Sequence, residues 1–420
     1  MLEKLVIHGG RPLFGTISVS GSKNAALPIL AATILAEGET ILENIPDLSD
    51  VAIMCDILRE LGCRVESLGK DCLLVDTSGL CKHTVSHHLA GRLRGSFLVA
   101  GPLLAKTGRA GVSLPGGCPI GARPVDLHLK GFSALGAAVE NRGGCVTATC
   151  DRLLGKEIYL DFPSVGATEN IMTAATMAEG QTTIKNASTE PEIVDLANFL
   201  CAMGAEVIGA GTDTVNIRGV RKLSPVRYSL ISDRIEAGTY LLAGAITGGN
   251  VTVSNILPEY LKPLTAKLSE MGVPLSYGET SVTVHPAGTL RSVDVQTLPF
   301  PGFPTDMQAP ITALLSISEG TGIVTETVFE NRFMHAGELS RMGAMIRVAG
   351  RSAVIEGKKA LTGAKVRATD LRAGAALVLA GLAAKGDTEI SDIYHLDRGY
   401  VTIEEKLRSL GADIVRQYDD

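Results

Sequence analysis

Residues 25–36, AALPILAATILA, are apolar on every side of a helical wheel, which predicts a helix buried all round and ended at Glu37-Gly38. A short strand, residues 40–42, follows. In LSDVAIMCDILRELG the apolar Val51, Met54, Cys55, Leu58 and Leu61 fall at helical spacing. That stretch predicts a half-exposed helix, capped by Ser49 or Asp50 and closed by Gly62 in the left-handed position. RVESL and CLLVD then read as strands.

The same pattern returns along the chain. A Leu-Gly or Met-Gly pair closes an amphipathic stretch with its glycine at 62, 136, 204, 272, 343 and 411, and a small turn with glycine at 38, 108, 180, 249, 320 and 386 precedes each by 23 to 28 residues. Six copies of one unit fill the chain, each reading as buried helix, strand, amphipathic helix and two strands. Such units stack helix on sheet, which predicts an α/β architecture of two three-unit domains.

Polar residues occupy two places in the unit. The six buried helices begin SKNAALP, RGSFLVA, ATENIMT, DRIEAGT, TDMQAPI and TDLRAGA, with Lys23, Arg94, Asp233, Arg234, Glu236, Asp306, Asp370 and Arg372 in or near the first turn. Capping accounts for Ser232 and Thr369. It does not account for a cation at the positive end of a helix dipole, so Lys23, Arg94 and Arg372 predict helix starts gathered round an anion. The second place is the loop before each amphipathic helix, where Cys118, Arg123, Arg332 and Arg398 lie. Arginine forks bind carboxylate and phosphate, so these loops add to the expected anion site.

Composition narrows the function. Lys plus Arg total 39 against 45 Asp plus Glu, a formal charge of −6 that argues against nucleic-acid binding. No apolar run is long enough to span a bilayer, and the N-terminus, MLEKLVIHGG, lacks a signal-type apolar core; the expectation is a cytoplasmic protein with no membrane partner. The eight cysteines are scattered and expected to be reduced. CKHTVSHH, residues 81–88, holds a thiol and three imidazoles but no recognised ligand spacing, so it reads as a surface turn and no metal site is expected. No phosphate-binding loop or dinucleotide fingerprint occurs, so no cofactor is expected and the substrate brings its own phosphate.

PGGCPIG, residues 115–121, sets Cys118 in a segment too broken for helix or strand. An unperturbed thiol is mostly protonated at neutral pH and serves as proton donor as readily as nucleophile. Asp306, at a helix start in FPTDMQ, is a candidate base toward a hydroxyl. An acid, a base and an arginine cage suit addition to a phosphorylated carbon acid.

SGSKNAALPILAATILAEG, LPGGCPIGARPVDLHL, FPTDMQ, TETVFENRFMH, ATDLRAGAALVLAG and YHLDRGY together resemble the UDP-N-acetylglucosamine 1-carboxyvinyltransferase (UDP-GlcNAc enolpyruvyl transferase) family, through every repeat. The resemblance implies two inside-out α/β barrel domains, residues 22–229 and residues 1–21 with 230–420, and an active site in the cleft between them. It implies transfer of the enolpyruvyl group of phosphoenolpyruvate to the sugar 3-hydroxyl of UDP-N-acetylglucosamine, with release of phosphate, as the first committed step of peptidoglycan synthesis. Carried over by motif, Lys23 and Asn24 belong to the phosphoenolpyruvate and sugar site; Arg94, Arg123, Arg372 and Arg398 hold phosphate and carboxylate; Arg332 and Asp370 lie in matching stretches. Asp306 takes the hydroxyl proton, and Cys118 protonates the methylene carbon, can carry a phosphoenolpyruvate-derived adduct and is the target of fosfomycin. Arg123, Pro124, Val125, Asp126, Leu127, Ser164, Val165, Gly166 and Val328 line the nucleotide-sugar pocket, and residues 111–121 form a lid.

Three positions strain the resemblance. Phe162 stands where some members have lysine, Pro119 follows the cysteine, and with no Trp any stacking from residues 94–98 falls to Phe97. Other readings remain beside it: the sister enzyme that acts on shikimate phosphate, whose lid lacks the cysteine; a thiol enzyme built on Cys118; and a non-catalytic repeat scaffold.

Overall fold

The computed structural model of the chain describes residues 2–114, 121 and 124–419. Among them are six four-stranded sheets, one per repeat. In the fifth, Val295–Gln296 pairs parallel with Thr321–Thr325, which pairs antiparallel with Ser352–Glu356, itself antiparallel to Met345–Ala349. The other five repeat this order. The repeat thus has one more strand than its sequence pattern predicts, a parallel edge strand ahead of the buried helix. These edge strands run only two to five residues, as in Thr84–Val85 and Phe14–Ser18, too short for an alternating pattern to declare itself.

The chain separates into two compact units, one holding residues 2–20 and 232–419, the other residues 21–114 and 124–231. The exchange of two edge strands makes this division. Phe14–Ser18, ahead of the first repeat's helix, pairs with Asn250–Ser254 of the fourth; Arg227–Ser229, ahead of the fourth repeat's helix, pairs with Glu39–Glu43 of the first. In the sixth sheet the N-terminal strand Leu2–His8 fills the place of the second hairpin strand, between Asp387–Ser391 and Asp413–Asp419.

Each unit is an inside-out α/β barrel: its apolar helices lie at the centre. In the unit containing the C-terminus, Arg234–Ile246, Gln308–Leu315 and Leu371–Ala383 pack on one another, and the first two are buried at every residue. In the other, Lys23–Ala32, Ala100–Thr107 and Val165–Ala175 are joined through the 3-10 segment Arg94–Val99. Strand residues alternate in burial, so each sheet turns one face to these helices, as Thr40 and Leu42 do in Glu39–Glu43.

The glycines at the repeat boundaries do as their spacing predicts. Gly62, Gly136, Gly204, Gly272, Gly343 and Gly411 all have positive φ, between 90° and 107°. The turn glycines follow suit except in the fourth repeat, where Gly248 rather than Gly249 is left-handed. Three expected caps move by a residue. The helix Ser49–Leu61 is preceded by Leu48, which gives no side-chain cap, while Asp233 and Asp370, rather than Ser232 and Thr369, accept from the free N–H groups of their helices. A carboxylate accepts from two N–H groups at once, so it outcompetes the hydroxyl beside it.

Residues 81–88 are more ordered than a surface turn: Thr84–Val85 is an edge strand and Ser86 caps the helix His87–Arg92. No helix among the described residues is long and apolar enough to cross a membrane.

The closing glycines differ in what surrounds them. A Cβ on Gly62 would stand 2.4 Å from the Gly79 carbonyl oxygen, whereas one on Gly204 meets nothing within 4 Å. Gly204→Ala is expected to lose only the left-handed penalty, about 1–2 kcal/mol, and Gly62→Ala clearly more. Urea unfolding midpoints of the two variants check this; equal midpoints would contradict the packing argument.

Candidate functional site

In the unit containing the C-terminus, three sequence-predicted residues meet. Asp306, in the 3-10 turn Thr305–Met307 that leads into Gln308–Leu315, accepts from Arg332 Nη2 at 2.7 Å on one oxygen and from Arg372 Nη2 at 2.7 Å on the other. Both guanidiniums are buried, and the carboxylate is about a quarter exposed. Burial alone would raise the Asp306 pKa, but the charges of Arg372 and Arg332 outweigh it and hold the carboxyl well below its usual range. Burial likewise opposes the Arg372 charge, and Asp306 more than compensates, so that guanidinium stays protonated.

Several groups brace this pair. Arg332 Nη1 donates to the Thr305 hydroxyl at 2.7 Å, and its guanidinium lies 4.9 Å from the centre of the Phe329 ring. Arg372 Nη1 reaches the Tyr400 hydroxyl at 3.4 Å, itself 2.9 Å from Thr239 Oγ1. Asp370 caps the helix Leu371–Ala383 through one oxygen, which accepts from Arg372 N and Ala373 N. His335 is buried close by; burial pushes its imidazole down to about 4, so it is neutral at physiological pH. Arg398 ends the 3-10 segment Ile393–Arg398, half-buried, and Val328 lies half-buried ahead of Phe329.

In the other unit, Lys23 opens the first central helix, with Ser22 as its cap, and its Nζ lies 2.7 Å from Asp50 Oδ2; both residues are buried. Asn24 follows, half-buried. Two of the cationic helix starts therefore have a protein carboxylate as their anion, Asp50 for Lys23 and Asp306 for Arg372. The sequence pattern points to the need for an anion but not to its source. Asp50, expected as a cap, is the partner instead.

Around residues 124–128 and 164–166 a second network is built. Pro124 and Val125 precede the helix Asp126–Ala134, which Asp126 and Leu127 open. Ser164 caps Val165–Ala175, three residues earlier than the motif ATENIMT suggests. Asn170 Oδ1 accepts from Gly101 N at 2.8 Å, so its amide nitrogen faces Phe97 O at 3.0 Å and His128 Nδ1 at 2.8 Å. A donor at Nδ1 makes that nitrogen the acceptor and leaves the ring proton on Nε2. Burial, with the charge of Arg94 second, lowers the His128 pKa to about 3, which keeps the ring neutral. A Cβ on Gly166 would sit 3.2 Å from His128 Cε1, so any larger residue there presses on the ring. Phe97 is only 3% exposed and packs edge-to-face on His128 at 5.1 Å; it supports the histidine and offers no face to a ligand, contrary to the stacking role expected of it. Arg94 starts the segment Arg94–Val99, half-buried, and Phe162 is 43% exposed.

Cys118, Pro119 and Arg123 lie outside the described residues. The expected lid loses its first part: residues 111–113 belong to the strand Arg109–Ser113, and Gly111 serves packing, because a Cβ there would strike the Thr84 side chain at 2.7 Å. Asp50, His128, Asn170, Thr305, Glu326 and Tyr400 have no place in the sequence-predicted site. His128, Thr305, Glu326 and Tyr400 sit inside LPGGCPIGARPVDLHL, FPTDMQ, TETVFENRFMH and YHLDRGY, and membership of these motifs is the only signal that marks them; Asp50 and Asn170 lack even that.

The model for EPSP synthase (3-phosphoshikimate 1-carboxyvinyltransferase) matches residues 7–407. UDP-N-acetylglucosamine 1-carboxyvinyltransferase 1 of Caldanaerobacter subterraneus is 54% identical over 419 residues, covering 99% of this chain and all of its own. The enzyme named UDP-N-acetylglucosamine 1-carboxyvinyltransferase 2 of Carboxydothermus hydrogenoformans is 54% identical across the full length of both chains. Among solved structures, the enolpyruvyl transferase NikO from Streptomyces tendae superposes with a TM-score of 0.90 at 29% identity and full coverage of both chains. EPSP synthase from Acinetobacter baumannii shares the fold, with a TM-score of 0.76 at 19% identity, covering 99% of this chain and all of that one. Matched along its whole length, the chain belongs to the EPSP synthase family and, within it, to the UDP-N-acetylglucosamine 1-carboxyvinyltransferases.

Proposed function

We propose that the protein transfers the enolpyruvyl group of phosphoenolpyruvate to the 3-hydroxyl of UDP-N-acetylglucosamine and releases phosphate, acting in the cytoplasm as the first committed step of peptidoglycan synthesis. The observation that carries the reading is Asp306 gripped by two buried guanidiniums, in a chain 54% identical end to end to enzymes named for this transfer. The reaction is an addition followed by an elimination. The hydroxyl oxygen bonds to C2 of phosphoenolpyruvate while C3 gains a proton; C3 then loses a proton, the C2–O bond to phosphate breaks, and the enol ether forms.

Asp306 is assigned the hydroxyl proton and Cys118 the proton for C3. A carboxylate held below its usual pKa is a weak base, so proton transfer becomes favourable only as the new C–O bond makes the hydroxyl oxygen acidic. The substrate anion assists. A phosphate or carboxylate that engages the Arg372 fork competes with Asp306 for it, which returns basicity to the carboxylate once substrate is in place. Lys23, Asn24, Arg94, Arg123, Arg332 and Arg398 are assigned to the anionic and sugar groups. Pro124, Val125, Asp126, Leu127, Ser164, Val165, Gly166 and Val328 are assigned to the nucleotide sugar. Asp370 fixes the start of the helix that carries Arg372.

Phosphate release measured with phosphoenolpyruvate is expected to require UDP-N-acetylglucosamine and not to be supported by shikimate 3-phosphate; release with shikimate 3-phosphate alone would reassign the substrate. Fosfomycin, an epoxide, is expected to open on the Cys118 thiolate, forming a C–S bond as the C–O bond breaks and the oxygen takes a proton. Intact-mass analysis reads the adduct, and Cys118→Asp should keep activity without it, because a carboxylic acid still donates a proton.

Asp306→Asn is expected to lower kcat by about 10²- to 10⁴-fold and to lower Tm at neutral pH, because two buried guanidiniums then face each other without their shared anion. The folded-state pKa of Asp306 is depressed, so the stability it contributes is present above its unfolded pKa and lost only as pH falls through the lower folded value. The Tm gap between wild type and variant should thus hold from pH 8 to about pH 5 and narrow in stronger acid. A gap already closed at pH 5 would contradict the pairing.

A further inference from the structure

The residue immediately after the short central strand follows a rule that four repeats keep and the second and fifth break, with Leu114 and Glu326. In three repeats it is an asparagine with φ between 55° and 61°, whose side-chain amide donates to the carbonyl just beyond the parallel edge strand. Asn44 reaches Leu230 O at 2.9 Å, Asn186 reaches Leu160 O at 2.7 Å and Asn255 reaches Val19 O at 3.1 Å. Asp392, also left-handed, holds the place in the sixth repeat. In the fifth, register pairs Thr325 with Gln296, so Glu326 stands level with Thr297 as those residues do with their partners. Glu326 is not left-handed, and the polarity of the bridge is reversed: the Thr297 hydroxyl donates to Glu326 Oε1 at 2.9 Å.

This buried carboxylate does more than tie two strands. Oε1 also accepts from Val328 N at 2.8 Å and Phe329 N at 3.1 Å, while Oε2 accepts from the Thr305 hydroxyl at 2.8 Å. Thr305 in turn accepts from Arg332 Nη1, whose Nη2 holds Asp306. We propose that Glu326 is a positioning residue: its carboxylate orients the Thr305 hydroxyl, and through it the Arg332 guanidinium, against Asp306, while pinning the backbone of Val328 and Phe329. Polarity requires a carboxylate there. A hydroxyl has one proton, and only an acceptor without hydrogens claims that proton outright and leaves a lone pair facing the guanidinium. An amide at 326 would turn its N–H toward either Thr305 or the two backbone N–H groups. Tying the strands needs only asparagine, as three repeats show, so the bond to Thr305 is surplus to the fold.

The kinetic arm of the test rests on the enolpyruvyl-transfer reading; a second arm does not. Glu326→Gln and Thr305→Val, each confirmed folded by its thermal melt, should lower kcat for phosphate release by roughly 10- to 100-fold with smaller changes in KM. Thr305→Ser should stay near wild type, and the double variant should be no worse than either single one. Carbon-13 NMR of labelled aspartate, with Asp306→Asn for assignment, should show Asp306 titrating higher in Glu326→Gln than in wild type, because Arg332 is no longer fixed on it. Wild-type kcat in folded Glu326→Gln, losses that multiply in the double variant, or an unmoved Asp306 titration would each overturn the proposal. A wild-type protein that releases no phosphate counts against the transferase reading alone, and the titration then decides for or against Glu326.

Discussion

The constraint on which the structure depends is that its central helices are buried over most of their length, two of them at every residue. Arg234–Ile246 and Gln308–Leu315 expose no residue, so neither has a solvent face on which to place polar groups. Chemistry is thereby confined to where helices begin and strands end, places where the backbone itself has unpaired N–H and C=O groups. Lys23, Asp306 and Arg372 all lie within or beside such a beginning. Loops leaving equivalent strand ends supply Arg332 and Arg398.

Charge at those beginnings carries an electrostatic cost that the fold meets internally. A lysine or arginine in the first turn opposes the helix dipole and loses hydration when buried. Asp50 and Asp306 offset both effects. Pairs of this kind add little net stability, yet removing one partner costs about 3–5 kcal/mol, because the other is left buried and charged. The cations are therefore held in one geometry, and an anion bound as proposed would have to compete with a carboxylate for Arg372. Under the proposed reaction that competition couples occupancy of the anion site to the basicity of Asp306.

The repeat, the buried helices and the closing glycines were legible because each rests on a local rule: apolar character all round, helical spacing, or a backbone angle that favours glycine. Edge strands such as Thr84–Val85 were not, since two residues hold no period and their pairing is set by the partner strand. Site residues divided the same way. Asp306, Arg332 and Arg372 stood out as charges in apolar or motif-rich surroundings. Asp50 resembled an ordinary first-turn cap, and the proton position on His128 depends on Gly101 fixing Asn170, a chain of contacts spread over 70 residues. The exchange of Phe14–Ser18 with Arg227–Ser229 leaves no trace in composition, because either strand satisfies the same register.

Repetition also supplies an internal comparison that a single site cannot. Where Asn44, Asn186, Asn255 and Asp392 occupy the position after the central strand, a left-handed residue closes the sheet. The two repeats that depart from this carry Leu114 and Glu326 there, and these open the Cys118 loop and the loop containing Arg332. A left-handed residue at that point turns the chain to suit the sheet; giving it up frees the following residues to take another course. The cost is the asparagine tie; in the fifth repeat the Thr327 hydroxyl donates to Thr297 O in its place, and the Thr297 hydroxyl adds a bond of reversed polarity to Glu326. Departure from the repeat's own rule, in the loops that bear Cys118 and Arg332 but not in the one that bears Arg398, is what separates these two units from the four that keep a left-handed residue there.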